Sequence, residues 1–398
     1  MEFYHDILEN LLDKLIDYRG KTPKKTLSGV PLVTAKIVKN GTINGYTEYI
    51  AEEDYDKWMV RGFPKVGDVI LTTEAPLGEV ALLKEEKVAL AQRIVCLRGK
   101  DNVLDNTYLK YYLQSGKGQK SLSARESGTT VTGIKQAELR RVDIEYPAYD
   151  DQRRIASILS SLDRKIELNN KINADLEEMA QAIFKNWFVD FEPFKDGKFV
   201  DSELGMIPEG WKVGTLGDIT KNKSAKVKER NDVKVLSPVT TGELVLSEEY
   251  FTKQVFSSSI AKYKIVNKGD FAYNPARVNI GSLGRNEFDF DGCVSPVYVV
   301  FSVLDGYENY FDLFRKTDFF KDSVASLAIG GVRQSLSYDD LCSIEVIIPS
   351  ENAVEKFNNL YNQMKKTIKA NKLGNSRLSL LRDTLLPRLM SGELEVPE

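Results

Sequence analysis

The chain has 398 residues, of which 42% are hydrophobic and 28% are charged, and its formal net charge at pH 7 is −3. This composition excludes a disordered chain, and the length favours more than one domain at roughly 100–200 residues each. No apolar run approaches the roughly 20 residues that span a bilayer, and the N-terminal residues do not resemble a secretion signal, so we expect a cytoplasmic protein.

The predicted elements alternate between mixed modules and long helices. Short β-like runs broken by Gly and Pro turns, with one helix near Asn106–Gln114, indicate a mixed first module. Acidic residues at 150–151 suit the start of a helix, and Ser391-Gly392 suits the end of another. The predicted order is a first module (1–150), a first long helix (151–191), a linker (192–210), a second module (211–350) and a second long helix (351–391).

The second half of the chain repeats the first half at a constant shift of 202 residues. Val66-Gly67-Asp68-Val69 corresponds to Lys268-Gly269-Asp270-Phe271, and Ile134 corresponds to Leu336. Pro147 corresponds to Pro349 at the end of each module. A gapless shift held over this distance is the signature of an internal duplication.

Both long helices carry apolar residues at alternating steps of four and three, the spacing of a coiled-coil seam. The two seams correspond at the same shift, with one departure at Arg382, where the first helix has Ala180. Each seam is interrupted near its middle by two asparagines, which we expect to set the register of the helix pair: Asn169, Asn173, Asn371 and Asn375.

An antiparallel pairing would place Asn169 against Asn375 and Asn173 against Asn371. A buried amide without a partner costs about 1–3 kcal/mol, so matched amides are favoured. A parallel pairing in the same register would also match Asn with Asn, and solvent-facing asparagines on ordinary core helices are a further alternative. We favour the antiparallel arrangement, because two similar units related by an approximate two-fold axis suit the symmetry of DNA.

A helix of about 40 residues is roughly 60 Å long, which exceeds the roughly 34–36 Å of one turn of B-DNA. Modules at opposite ends of such a rod would meet DNA sites more than one turn apart. The pattern therefore predicts an α+β protein in which two mixed α/β modules are held apart by an antiparallel helix pair with pseudo-two-fold symmetry.

Four segments of the chain resemble one known family. These are Ile207–Trp211 (IPEGW), Asp151–Ile155 (DQRRI), the Gly-Asp of each module and Leu385–Leu394 (LLPRLMSGEL). In this order they resemble the specificity subunit of type I restriction–modification systems. The resemblance covers essentially the whole chain.

The resemblance implies that each module is a target-recognition domain that reads one half of a split double-stranded DNA target. The loops of the two modules differ in sequence although their frames align, so we expect the two halves to differ and the target to be asymmetric. The resemblance also implies that the helices dock two methyltransferase (M) subunits, through which restriction and motor (R) subunits join. S-adenosylmethionine would be bound by the methyltransferase, and this chain would be non-catalytic and without a membrane partner. The alternative functions are a protein-interaction scaffold with duplicated modules and a self-sufficient methyltransferase or nuclease.

Catalytic and metal motifs are incomplete in this sequence. Tyr273-Asn274-Pro275-Ala276 lacks the second proline and the aromatic residue of an amino-methyltransferase loop. Gly20-Lys21-Thr22 matches the last three residues of a phosphate-binding loop, but Leu15 stands at the position where that loop needs its first glycine. His5 is the single histidine, and the three cysteines form no CxxC pair, so we expect no catalytic residue, no metal and no cofactor in this chain.

Contacts to phosphates call for Lys and Arg, and base reading calls for Arg, Asn, Gln and Thr in exposed loops. The basic loops of the two modules supply the first candidate set: Lys21, Lys24, Lys25, Lys221, Lys223, Lys226 and Lys228. Polar loops supply the second set: Thr73, Arg93, Arg125, Ser127, Thr129, Thr130, Asn274, Arg277, Asn279, Arg285, Arg333 and Gln334. The alternative for the basic loops is a solvated charged surface.

Large apolar residues near the end of the first helix, Phe184, Trp187 and Phe188, correspond to Leu386, Leu389 and Met390 in the second. We expect them to dock onto a module or onto a partner, since solvent exposure of such residues is unfavourable. Ordinary core packing is the alternative.

Overall fold

The computed structural model describes residues 1–18, 20–128, 132–327 and 335–396. The chain divides into two compact units. Unit 1 comprises Met1–Lys171 together with Asn371–Glu398, and unit 2 comprises Ile172–Ala370. Unit 1 is thus completed by the C-terminal end of the chain.

The first module of unit 1 contains eleven short strands and five short helices within the described residues. The strands are β1 (Phe3–Ile7), β2 (Leu12–Asp17), β3 (Val30–Val33), β4 (Val38–Lys39), β5 (Thr42–Ile43), β6 (Tyr49–Ile50), β7 (Val69–Thr73), β8 (Leu77–Leu82), β9 (Ala89–Leu90), β10 (Ile94–Gly99) and β11 (Asp143–Pro147). The helices are α1 (Leu8–Leu11), α2 (Tyr55–Trp58), α3 (Asn106–Gln114), α4 (Gly116–Ser123) and α5 (Gln136–Arg140).

A four-stranded sheet in the order β2-β10-β7-β8 forms the centre of this module. Alternate residues of its strands enter two different cores, since successive side chains of a strand point to opposite faces. Val69 and Leu71 pack in the core that holds α3. Ile70 packs in the core formed with a second sheet, in the order β6-β3-β9.

Two long helices follow the modules. The first, α6, spans Tyr149–Phe188, close to the predicted 151–191. The second module, in unit 2, has strands β12 (Phe199–Val200), β13 (Ile207–Pro208), β14 (Lys212–Thr215), β15 (Thr220–Lys223), β16 (Lys234–Pro238), β17 (Leu244–Leu246), β18 (Lys264–Val266), β19 (Phe271–Tyr273), β20 (Leu283–Arg285), β21 (Gly292–Val294), β22 (Val299–Val303) and β23 (Glu345–Ile348). Its helices are α7 (Leu216–Ile219), α8 (Ser247–Tyr250), α9 (Glu308–Phe314), α10 (Asp318–Leu327) and α11 (Tyr338–Cys342), and α12 spans Glu351–Ser391, as predicted.

The second module repeats the internal topology of the first. Its central sheet has the order β15-β22-β19-β20, which corresponds to β2-β10-β7-β8. Individual hydrogen bonds also recur at the shift of 202. The hydroxyl of Tyr108 donates to the carbonyl oxygen of Glu145 at 2.9 Å, and that of Tyr310 donates to the carbonyl oxygen of Ile347 at 2.5 Å. The duplication read from the sequence is therefore a duplication of structure.

In unit 1 the two long helices pack antiparallel, as predicted, because Asp163 contacts Arg382 while Asn169, further along α6, contacts the earlier residue Asn375. In unit 1, Asn169 Nδ2 donates to Asn375 Oδ1 at 2.8 Å, which is one of the two predicted amide contacts. In unit 2, the ring of Phe357 lies 5.0 Å from that of Phe188, between centroids. Asn173 is buried in unit 2, and its pairing with Asn371 stays a prediction.

The ends of the long helices are part of the module cores, so the packing alternative is confirmed for them. Phe184 and Phe188 are buried in the main core of unit 2, and Trp187 packs against it partly buried. Leu389 and Met390 are buried in the core of unit 1, with Leu386 packed partly buried at its border.

Ionic contacts attach each module to its own long helix, with opposite signs in the two units. In unit 1, Lys110 of α3 and Lys84 pair with Asp163 and Glu167 of α6 at 2.9 and 2.5 Å. In unit 2, acidic Glu287 and Asp289 of the module pair with basic residues of α12, Lys365 and Lys369. Since Lys365 and Lys369 correspond to Asp163 and Glu167 at the shift of 202, the polarity of the contact is reversed.

Candidate nucleic-acid interface

The predicted DNA-contacting loops of unit 1 converge at one edge of the central sheet. Asp17 at the end of β2 is opposite Val95, and Thr72 near the end of β7 is opposite Ile94 at the start of β10. The segments that follow β2 and β7 and that precede β10 therefore leave the sheet together. We name this surface edge 1 and define it as residues 20–25, 74–76, 91–93, 125–128 and 132–134.

Main-chain hydrogen bonds hold the loops of edge 1 in place. The carbonyl oxygen of Thr73 accepts from Ile134 N at 3.0 Å, and Thr73 N donates to the carbonyl oxygen of Arg93 at 2.9 Å. Ser127 and Gly133 exchange two bonds of 2.8 and 3.0 Å. A Cβ atom at Gly133 would lie 2.9 Å from the Thr73 oxygen, so this close approach requires glycine.

The basic loop of the first module joins edge 1 through a side-chain contact. The hydroxyl of Thr22 donates to Gln92 Oε1 at 3.2 Å, next to Arg93. Lys21 and Lys24 are exposed, and neither forms an ion pair with another described residue. Lys25 is exposed too, but it pairs with Glu48 at 2.7 Å.

The other candidates at edge 1 differ in availability. Arg93 is half exposed and pairs with Glu74 at 3.0 Å, and Arg125 pairs with Glu138 at 3.2 Å. Ser127 is exposed. Thr73 is 1% exposed, so it holds the frame of the edge, and this burial disfavours its predicted contact with DNA. Thr129 and Thr130 lie outside the described residues.

Unit 2 presents a corresponding edge. Tyr273 at the end of β19 is opposite both Val299 at the start of β22 and Leu283 at the start of β20. The loop after β15 leaves at the same side, because Lys223 is opposite Val300. We define edge 2 as residues 224–230, 274–282, 295–298 and 335–336.

The loops of edge 2 are anchored by the same main-chain bond as those of edge 1. Leu336 N donates to the carbonyl oxygen of Pro275 at 3.1 Å. Leu336 and Pro275 correspond to Ile134 and Thr73 at the shift of 202. Asn274 closes the turn at this edge, since its Oδ1 accepts from Ala276 N at 3.1 Å and its N donates to the carbonyl oxygen of Ser282 at 3.1 Å.

Exposed basic and amide side chains surround this turn. Arg277 and Asn279 are exposed within 274–282, and Lys226 and Lys228 are exposed in the loop after β15. Lys221 is exposed on β15 itself. Lys223 is less available because its ammonium group pairs with the buried carboxylate of Asp270 at 2.7 Å.

Arg285, like Lys221 on β15, lies on a strand outside edge 2. It lies on β20 opposite Phe271, two residues along the strand from the edge, and its guanidinium donates to Asn309 Oδ1 at 2.9 Å. From its sequence Arg285 was predicted to lie in a polar loop, whereas the structure places it at the end of β20, within the sheet. Arg333 and Gln334 lie outside the described residues.

Three residues at the two edges were missed by the sequence interpretation: Gln92, Ile280 and Val297. Gln92 is polar and lies just before β10, as does Arg93, which was among the candidates. Ile280 and Val297 are exposed aliphatic residues, 55% and 71%, and were passed over because the candidates were chosen for polarity.

Two of the three cysteines, Cys96 and Cys293, are buried. Among the described residues, no group of three or more His, Cys, Asp and Glu residues is arranged to hold a metal ion. Burial raises the pKa of the Cys293 thiol to about 11 and also raises that of Cys96, so both favour the inert thiol form. None of the described helices is long and apolar enough to cross a membrane.

Comparison with known proteins agrees with this geometry. Residues 13–178 match the type I restriction modification DNA specificity domain. The chain is 29% identical to the type I restriction enzyme MjaIX specificity subunit of Methanocaldococcus jannaschii, over 95% of this chain and 91% of that protein. It is 25% identical to the type I restriction enzyme HindI specificity subunit of Haemophilus influenzae, over 69% of this chain and 74% of that protein.

A solved structure shares the fold. The S subunit of a type I restriction–modification system from M. genitalium aligns with 100% of this chain and 97% of its own length, with a TM-score of 0.61 at 18% identity. Over most of its length the chain is similar in sequence to specificity subunits of type I restriction enzymes.

Proposed function

We propose that the chain reads a two-part, asymmetric DNA target, with edge 1 on one half and edge 2 on the other. The observation that carries this proposal is the shared anchoring bond, Ile134 to Thr73 and Leu336 to Pro275, beneath edges whose outer residues differ. A common frame supports the same kind of contact at each edge. Different side chains on that frame suit different bases.

The charge at the edges suits DNA. Exposed lysines of both edges lie beside amide and hydroxyl side chains, a combination that neutralises phosphates and bonds to base edges. The whole chain is slightly acidic, so this positive charge is local. Such a distribution supports specific binding more than adhesion to any polyanion.

Catalysis is assigned in this proposal to partner subunits. A methyltransferase subunit would bind S-adenosylmethionine and modify adenine, and restriction subunits would join through it. His5 lies 3.3 Å from Asp143, and both side chains are exposed on paired strands, an arrangement that offers no nucleophile to activate. The chain would supply the recognition of the DNA sequence and the surface on which the partner subunits assemble.

The outer surface of the long helices is the proposed docking site for two methyltransferase subunits. On α12, Leu373 and Leu380 are 54% and 70% exposed, and Leu381 is 46% exposed. Met179 on α6, which corresponds to Leu381 at the shift of 202, is 49% exposed. Exposed apolar residues on otherwise charged helices indicate protein contacts, and their occurrence in both units suits two copies of one partner.

The test is to express the chain with its methyltransferase partner and to map methylated adenines by sequencing. We expect methylation at one two-part sequence whose halves differ. Competition binding at moderate salt then compares this duplex with scrambled versions of each half. Equal affinity for all duplexes would favour a protein-interaction scaffold, and methylation by the chain alone would show that it is an enzyme; either result would contradict the proposal.

A further inference from the structure

Edge 2 carries two exposed aliphatic side chains. Val297 is 71% exposed and Ile280 is 55% exposed. Val297 lies in the turn before β22, and Ile280 lies in the 3₁₀ turn before β20. The strands β22 and β20 pair with opposite sides of β19, and both are opposite Tyr273 at its end. Val297 therefore lies on one side of Asn274, the residue that follows β19, and Ile280 lies on the other side.

The turns that present these side chains are fixed by hydrogen bonds. Tyr298 N donates to the carbonyl oxygen of Ser295 at 3.0 Å, and Lys264 Nζ donates to that of Tyr298 at 2.6 Å. Ser282 Oγ donates to the carbonyl oxygen of Pro238 at 2.9 Å, beside Ile280. The aliphatic groups are therefore held outward on ordered backbone, where burial against a partner would be favourable.

The surroundings of the two side chains indicate what that partner is. Arg277 and Asn274 lie in the segment between them, and Lys226 lies on the neighbouring loop. In the major groove an A·T pair presents the adenine N7 and N6 groups beside the thymine O4 and its 5-methyl group. An aliphatic tip next to amide and cationic groups matches this mixture of polar and apolar features.

Edge 1 differs at this point. The residues that precede β10, corresponding to the turn before β22, are Gln92 and Arg93. Among the described residues of edge 1, large hydrophobic side chains are not exposed. Among the residues that the structure describes, edge 2 therefore carries an exposed aliphatic pair that edge 1 does not.

We propose that Val297 and Ile280 contact the 5-methyl group of thymine in the half of the target that unit 2 reads. This inference rests on the proposed function, because it assumes that edge 2 faces the major groove of DNA. It adds a base chemistry to that function: at least one A·T pair in this half, recognised through its methyl group.

The experiment uses the chain with its methyltransferase partner and the mapped target, in duplexes where single thymines are replaced by uracil. This replacement removes only the methyl group and preserves base pairing. We expect one or two positions, all in one half, at which affinity falls by about fourfold, the equivalent of one buried methylene group. At those positions Val297→Ser or Ile280→Ser should bind the thymine and uracil duplexes equally.

A matched control is Val255→Ser, since Val255 is 55% exposed in unit 2 but lies outside edge 2. This variant should keep the full response to uracil. Specific binding with no response to uracil, a response unchanged in both edge variants, or a half target without A·T pairs would overturn the thymine contact alone. Binding without any sequence preference would overturn the proposed function as well.

Discussion

Arg382 of α12 donates a hydrogen bond of 2.9 Å to Asp163 of α6, and both residues belong to unit 1. The same carboxylate accepts from Lys110 at 2.9 Å and from Tyr111 at 2.6 Å. One carboxylate thus joins the module to both long helices. Burial by itself raises the pKa of Asp163, but Lys110, Tyr111 and Arg382 lower it overall, so the group is held ionised.

Asp163→Asn should lower the free energy of unfolding at pH 7 by about 2 kcal/mol, because it leaves the buried ammonium of Lys110 without its counter-ion. Chemical denaturation measures this change. Asp190→Asn removes one partner of the exposed pair with Lys185 and is the control, expected to change stability by less than about 0.5 kcal/mol. Equal stability of the Asp163 variant and the wild type would show that the buried cluster does not hold unit 1 together.

Acid should reveal the buried carboxylate of Asp312 in unit 2. Burial tends to raise its pKa, but the charges of Arg315, Lys316 and Lys365 outweigh this effect and lower it from 3.8 to about 2. A depressed pKa contributes stability that is complete above 3.8 and is lost as the pH falls towards about 2. The difference in unfolding free energy between wild type and Asp312→Asn should therefore be constant above pH 5 and shrink by about 2 kcal/mol below pH 4.

Denaturation curves of both proteins between pH 2 and pH 7 measure this difference. A difference that is independent of pH throughout this range would contradict the ionic role of Asp312.

Gly133→Ala should weaken specific DNA binding by about tenfold with little loss of stability, because the added Cβ would displace the loop that bonds to Thr73. Gly116→Ala is the control, since a Cβ at Gly116 has no atom within 4 Å. Competition binding with the partner subunit and thermal unfolding are compared for the two variants. Unchanged binding by the Gly133 variant would mean that the anchored loop does not contribute to edge 1.

Lys226→Gln should weaken binding to all duplexes equally and reduce the slope of log affinity against log salt by about one, because it removes one phosphate contact. Lys356→Gln on α12 is the control, as Lys356 is exposed but lies outside edge 2. Titrations at several salt concentrations give both slopes. Loss of sequence preference in the Lys226 variant, with an unchanged slope, would show that this lysine contacts a base instead.

Leu380→Glu should prevent assembly with the methyltransferase while leaving the unfolding temperature unchanged, since Leu380 is 70% exposed. Leu27→Glu places the same charge at a residue that is 99% exposed in the segment between β2 and β3 of the first module, and should assemble normally. Analytical ultracentrifugation of each mixture gives the stoichiometry. Normal assembly of the Leu380 variant would show that the methyltransferase does not dock on the helix surface that includes Leu380.

Much of the fold follows from periodicity in the sequence. The heptad spacing and the central asparagines predicted both long helices and the contact of Asn169 with Asn375, because these depend on spacing along a single helix. The partner of Arg382 was not predicted, because Asp163 is charged and does not belong to the apolar seam. Its charge is explained only by the packed module, which brings Lys110 to it. The helix α4 was missed as well, because Gly116 and Gly118 oppose helix formation.

The candidate site was predicted in part. Loops with Gly and polar residues identified most of both edges, because turn chemistry is local. Two side chains departed from expectation through the sheet. Thr73 is buried at the end of β7, and Arg285 lies on β20, two residues along the strand from edge 2. Both outcomes depend on strand pairing between distant segments, which has no local signature.

The bond from Ile134 to Thr73 and its counterpart from Leu336 to Pro275 use only an amide hydrogen and a carbonyl oxygen. Any amino acid can supply that oxygen, including proline, which occupies the position in unit 2. Replacement of the residue that supplies the carbonyl oxygen therefore leaves this bond in place. Replacements of exposed side chains elsewhere on an edge would then change what that edge can contact, while the main-chain frame beneath it stays the same.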